Sequence, residues 1–171
     1  MKSISSIAIS ILLLLPAPVL ADEDTLSFSN DRLEINVSDE VRENAKKAKA
    51  LEDYEVIDRV RREVEGYLGG LPETARTEIE ISGFRLRSGV SGFFGMSGSD
   101  TLDARVTIRD DGKQIGHFVV NADNGRSGKT QPPTRRVIRL VQEFGQIFGI
   151  QLQVSQGNMP MPFFPGNRMR H

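Results

Sequence analysis

From Thr101 to Ala122 the chain reads as two alternating runs joined by a tight turn, and this pattern constrains the fold more than any other stretch. Leu102, Ala104, Val106 and Ile108 are apolar, and Asp103, Arg105 and Thr107 between them are polar or charged. A period of two sends one side of a β-strand to a core and the other to water. Asp110-Asp111-Gly112-Lys113 supplies the turn, because Gly112 adopts positive φ without steric cost. Ile115, Phe118 and Val120 then form the returning strand. Such a hairpin has one apolar face that the rest of the chain must cover.

The flanking segments supply that cover. Thr77 to Arg87 reads as a strand, with Ile79 and Ile81 in one phase and Phe84 and Leu86 in the other, so a β-bulge is expected at Gly83. Leu26 and Phe28, then Leu33, Ile35 and Val37, alternate on either side of the turn signal Asn30-Asp31, which suggests a loose hairpin. Residues 40–68 read as helix, started by Ser38 or Asp39 and ended by Gly69-Gly70 and Pro72. Ile57, Val60, Val64 and Leu68 form its apolar stripe, and the polar part from Lys46-Lys47 to Glu52-Asp53 suits a frayed or separate short helix. A second helix is expected from about Thr134 to Phe148, with Gly149 as its stop, followed by a final strand through Ile150, Leu152 and Val154. The order strand, helix, strand, strand, strand, helix, strand predicts an α+β two-layer sandwich: a mixed sheet of about four to five strands with two helices on one face.

Residues 1–21, MKSISSIAISILLLLPAPVLA, read as a secretory signal peptide. Lys2 gives a positive start, Ile7 to Leu15 form an apolar run broken by Ser10, and Val19 and Ala21 fit a small-residue cleavage site. A membrane span needs about 20 apolar residues, more than this run has. The expected mature chain starts at Asp22 after cleavage following Ala21, with one domain over 22–154 and a disordered tail over 155–171. With no Cys in the sequence, neither a disulfide nor a lipid anchor on a thiol is expected. The predicted product is periplasmic or secreted, with no stable membrane anchor.

The chemistry-bearing patterns are sparse. Asn124-Gly125-Arg126-Ser127-Gly128-Lys129-Thr130 ends like a phosphate-binding loop, but the first glycine such a loop requires is replaced by Asp123, and Gln131-Pro132-Pro133 displaces the helix start. A flexible connector entering a helix is the expectation. His117 and His171 are the only histidines, and no Ser-His-Asp arrangement, zinc spacing or calcium loop is present. Asp100 with Asp103, and Asp110 with Asp111, fit turn chemistry better than acid–base work. Met159, Met161, Met169 and His171 could hold Cu(I), a weak signal from a lone cluster, and no cofactor or metal is expected. The 22 basic and 23 acidic residues nearly balance, so no nucleic-acid partner is expected. Residues 22–128 carry a net charge of −7 and residues 129–171 a net +5, read as ordinary solvated faces.

Two stretches stand out as contact candidates. Glycines 89, 92, 95 and 98 surround Phe93, Phe94 and Met96 in a long connection between strands. These side chains either fold back as a lid over the sheet edge or form an exposed apolar finger for a partner. The tail offers Phe163 and Phe164 among Pro160, Pro162 and Pro165, near Arg168 and Arg170, as a linear docking motif.

Gly83-Phe84, Gly89, Gly92-Phe93-Phe94-Gly95 and Gly98 precede the Leu102 to Ile108 strand and its Asp110 to Gly112 turn. A second Gly-rich connector, Gly125 to Gly128, then precedes the helix Arg135 to Phe148. In this arrangement, over roughly residues 40–150, the chain resembles a family of exported bacterial domains of unknown function, most of them lipoproteins. The implied fold is similar to periplasmic domains of envelope machinery, such as the N-terminal domain of the Tol system's propeller protein and the lipoprotein activators of penicillin-binding proteins. The resemblance implies a non-catalytic interaction module of the cell envelope, not an enzyme, with an envelope protein as partner. The alternative is a small-molecule or glycan binding protein with its site between sheet and loop. The chain departs from the usual member in lacking a lipidated Cys.

Overall fold

A computed structural model of the protein describes residues 25–87, 99–125 and 131–157. In chain order the elements are β1 (Ser27–Ser29), β2 (Leu33–Val37), α1 (Asp39–Glu43), α2 (Ala45–Asp53), α3 (Val56–Leu68), β3 (Ala75–Arg85), β4 (Thr101–Asp110), β5 (Lys113–Asp123) and α4 (Pro133–Ser155). The five strands form one sheet in sequence order. Neighbours are antiparallel except β2 and β3, which pair in parallel with Ile35 opposite Ile79. A parallel pair needs a crossover, and α1 to α3 supply it. The fold is thus α+β, a mixed sheet with its helices on one face.

Alternation decides which face is covered. Leu33, Ile35, Ile79, Ile81, Leu102, Ala104, Val106, Ile108 and Val120 are buried beneath Val60, Val64, Leu140, Phe144 and Phe148 of the helices. The opposite face is charged and cross-linked between strands, by Arg76 to Glu34 at 3.0 Å, Arg105 to Glu80 at 3.4 Å and Arg109 to Glu78 at 3.5 Å. The bulge expected at Gly83 is present, since the register with β4 shifts between Ile81 and Gly83. The Asn30 side chain accepts from the amides of Arg32 and Leu33 at 2.9 and 2.7 Å, which closes the β1–β2 turn. At the β4–β5 turn Asp111 and Gly112 both have positive φ, 49° and 78°, as a two-residue type I′ turn demands.

Two expectations are corrected. The helix expected over 40–68 is three helices, of which α2 is the separate short helix that the polar part from Lys46 to Asp53 suited. Asn44 turns out of helical geometry and its side chain accepts from Lys47 N at 3.2 Å, capping α2, and Glu55 takes a left-handed conformation before α3. The expected final strand at 150–154 is the continuation of α4 to Ser155. Leu152 follows Phe144 and Phe148 at four-residue steps on the buried stripe, and Ile150 is exposed. Gly149 does not stop the helix but lets it approach α3.

Candidate interaction site

The end of the sheet where β3 stops and β4 starts holds the one buried ion pair among the described residues. Asp100, just before β4, and Arg136, in the first turn of α4, are 1% and 5% exposed. Arg136 Nε donates to Asp100 Oδ2 at 2.8 Å and Nη2 donates to Oδ1. The same Nη2 donates to the Arg87 carbonyl at 2.8 Å, and the Arg87 amide donates to Asp100 Oδ1 at 2.8 Å. Asn124, just past β5, donates from its side chain to the Arg136 carbonyl at 3.0 Å, and its amide bonds to the Asp100 carbonyl at 3.4 Å. The pair thereby ties together the residues at which segments 88–98 and 126–130 leave the described structure, and joins both to the start of α4.

Burial alone pushes the Asp100 carboxyl up, but hydrogen bonds from Arg136, the Arg87 amide and Asn124 outweigh it and hold the group below the ordinary carboxylate range. The carboxylate beside Arg136 raises the guanidinium in turn, against the opposing effect of burial. Both groups remain charged and bonded to backbone, an arrangement that positions chain rather than moves protons.

Beside this anchor two shallow clefts adjoin, of about 480 and 490 Å³, sharing Lys46, Ala50 and Leu86. Lys46 and Lys47 of α2 and Arg85 of β3 give the first a basic rim against Asp103, and Lys49 and Arg87 stand at the second. Burial raises the Asp103 carboxyl, Arg85 opposes that, and Asp123 adds to it. The Asp103 carboxylate also lies so close to the bulge that a Cβ on Gly83 would sit 2.7 Å from Oδ2.

The candidate contacts Phe93, Phe94, Met96, Phe163 and Phe164 lie outside the described residues, as do Met159, Met161, Met169, His171 and residues 1–24. His117 is on the outer face of β5, with Nδ1 3.4 Å from Thr107 Oγ1. Among the described residues no group of three or more acidic or His side chains is placed to hold a metal, and no helix is long and apolar enough to cross a membrane. The sequence reading missed the Asp100–Arg136 pair. Its one available signal was an arginine a single turn before Leu140, close to the apolar stripe of α4.

No protein-family model matches the chain, and no curated protein sequence matches it significantly. Among solved structures, it is similar to a protein assigned as a lipoprotein from Caulobacter crescentus CB15, at 14% identity and a TM-score of 0.36, over 75% of this chain and 93% of that one. It is also similar to a minor lipoprotein from Acinetobacter baumannii, at 12% identity and a TM-score of 0.34, over 76% of this chain and 96% of that one. TM-scores this low do not establish a shared fold.

Proposed function

We propose that the chain is an exported, non-catalytic module that docks onto a protein of the bacterial cell envelope through the end of the sheet carrying segment 88–98. The observation that supports this most is the use of Asp100 and Arg136. A buried ion pair is costly in desolvation, and this one is directed at the backbone of Arg87 and at the chain beside Asn124. Fixing the roots of a segment that contains Phe93, Phe94 and Met96 suits a surface that must be presented rather than a site that turns over substrate.

The test is site-specific photo-crosslinking in cells at positions 93, 94 and 96. Reproducible capture of one envelope protein, lost from the probe at position 96 in Phe93→Ser/Phe94→Ser with an unchanged melting temperature, is the expected result. Background capture at all three positions would sink the docking reading.

The basic clefts favour a second reading, binding of a small anionic ligand or acidic glycan, since their volumes fall in the range of about 300–1,000 Å³ usual for ligand sites. In that case acidic saccharides raise the melting temperature of the wild-type protein and not of Lys46→Ala/Arg85→Ala.

A further inference from the structure

β3 outruns one of its neighbours. β2 pairs with it from Leu33 opposite Thr77 to Val37 opposite Ile81, and Ser38 N closes the pair with a 3.0 Å bond to the Ile81 carbonyl. The chain then turns into α1, while β3 continues to Arg85 against β4 alone. Along a strand the side-chain face and the direction of the backbone groups alternate together. Thr77 and Ile81, whose side chains are buried, turn their bonding groups to β2, as Thr77 N does to the Arg32 carbonyl at 2.8 Å. The bulge at Gly83 moves the buried phase to Phe84. Arg87 turns its amide the other way, to Asp100. The amides and carbonyls of Phe84 and Leu86 therefore point to the side that β2 has left, and no described residue bonds to them there.

The 480 Å³ cleft opens over this edge, lined by Phe84, Arg85 and Leu86 of the β3 segment and by Lys46, Lys47 and Ala50 of α2. Ala50, Phe84 and Leu86 are its apolar part, and Lys46 and Arg85 are exposed at its rim. Lys49 and Arg87 extend the rim into the adjoining cleft. Lys47 and Lys49 have acidic neighbours, Glu40 at 3.8 Å and Asp53 at 3.0 Å. Even so, basic side chains outnumber Asp53 and Asp103 along the two clefts. They do so in a body, residues 22–128, whose net charge is −7. Positive charge is thus gathered beside one short stretch of open backbone on an acidic domain.

We infer that an extended acidic segment of the partner protein adds to this edge as a short strand, laid between β3 and α2. The inference rests on the docking reading for its partner and specifies how that partner is held. Strand addition draws affinity from main-chain bonds and selectivity from alternate side chains. Residues opposite one another on paired strands share a face. The added residue opposite Phe84 therefore points to the helix side, where Ala50 leaves room for an apolar side chain. The residues flanking it point outward beside Arg85, where a carboxylate is favoured. The segment recognised alternates acidic and apolar residues, and a basic one is repelled by Lys46, Lys47 and Arg85. A second copy of this chain does not supply it. Its own acidic–apolar alternation, Glu78 to Ile81, is enclosed between β2 and β4, and residues 114–122 of the edge strand β5 contain no acid.

The test is amide hydrogen exchange, read by NMR on the purified exported protein, with the blocked peptide Glu-Val-Glu-Val-Glu-Val-Glu as probe. In the free protein the amides of Phe84 and Leu86 should exchange faster than those of Ile79 and Ile81, which β2 covers. Saturating probe should slow both by about tenfold or more, and the same residues in block order, or with Lys in place of Glu, should not. Leu86→Pro removes an amide that only an added strand uses and should abolish the protection at Phe84. Because Leu86 also packs on the core, Lys46→Glu/Arg85→Glu, at two exposed positions, is the second variant. It should lose the protection and keep the wild-type melting curve. Slow exchange at Phe84 and Leu86 in the free protein would show the edge already covered by this chain or, if it grows with protein concentration, by a second copy. Either result, or no slowing by the probe, would overturn the inference. Capture at positions 93, 94 and 96 without slowing by the probe overturns strand addition and leaves the docking reading standing, and slowing without capture does the reverse.

Discussion

Gly149 of α4 lies directly against the ring of Tyr67 in α3, so that a Cβ built on it would be 2.4 Å from Tyr67 Cε1 and 2.8 Å from Cδ1. Real contacts are never that short, so the two helices approach as they do only because position 149 has no side chain. Gly149→Ala gains helix propensity of ~1 kcal/mol but forces the ring or the helix to move, at a typical overpacking cost of about 1–3 kcal/mol. The expected net result is a lower melting temperature. Tyr67 is 36% exposed and carries the ring, so Tyr67→Ala in the Gly149→Ala background should recover part of the loss. Additive losses in a thermal-denaturation cycle would show that the contact is not the cause.

The same glycine shows where local pattern fails. After Phe148 a glycine and the alternation Ile150, Leu152, Val154 read as a stop and a strand, and nothing in that window reveals that Tyr67 requires the gap. Strands β2 to β5 were legible because each has one buried face, and even the bulge at Gly83 is written in the phase change from Ile81 to Phe84. The polar run from Lys46 to Asp53 suggested a separate short helix, but the residues that break the chain there, Asn44 and Glu55, were not legible, because a polar residue sits equally well inside a solvated helix or at its cap. The Asp100–Arg136 pair joins residues 36 apart in sequence, and such a link leaves no periodicity to read. The fold class therefore follows from alternation, while the anchor of the candidate site emerges only in three dimensions.

The β4–β5 turn gives a second prediction. Gly112 holds φ 78° at the tip of the hairpin that forms the last two strands of the sheet. A Cβ at such a φ costs roughly 1–2 kcal/mol, so Gly112→Ala should lose about that much stability. Asp111, at φ 49°, is a non-glycine in the same region, and Asp111→Asn should be neutral or slightly stabilising, because Asn leads the preferences for type I′ turns. Urea denaturation of the two variants measures both. An equal loss in both would argue against this turn type.

Asp103 predicts an effect of opposite sign to most carboxylates. Its folded-state value is raised, chiefly by burial, so ionisation is disfavoured in the fold. Relative to an unfolded value of about 3.9, the folded state binds the proton more tightly, and the penalty is complete above the folded value and relieved as pH falls. Asp103→Asn should therefore raise the melting temperature at pH 7 and give no gain at pH 3. It should also steepen acid unfolding, because proton uptake at Asp103 no longer offsets the other acids. Melting curves across that range check it, and a gain that persists unchanged at pH 3 would contradict the assignment.

Asp100 has the reverse linkage and bears on the candidate site. Its folded-state value is lowered by the bonds from Arg136, Arg87 and Asn124, which overcome burial. A depressed acid contributes stability that is present above the unfolded value of about 3.9 and is lost as pH falls through the folded value. Asp100→Asn should remove that acid-labile part. Removing one charge leaves the other buried and unpaired, so Asp100→Leu and Arg136→Met should each cost about 3–5 kcal/mol, whereas the double variant should recover much of the loss. The double variant then separates stability from presentation. It keeps a closed, apolar-packed core but loses the bonds that hold the Arg87 backbone and the 88–98 root in place. If the pair exists to present that segment, the refolded double variant shows faster amide exchange at Arg87 and weaker crosslinking at positions 93, 94 and 96. Wild-type crosslinking in a stable double variant would instead assign the pair to stability alone.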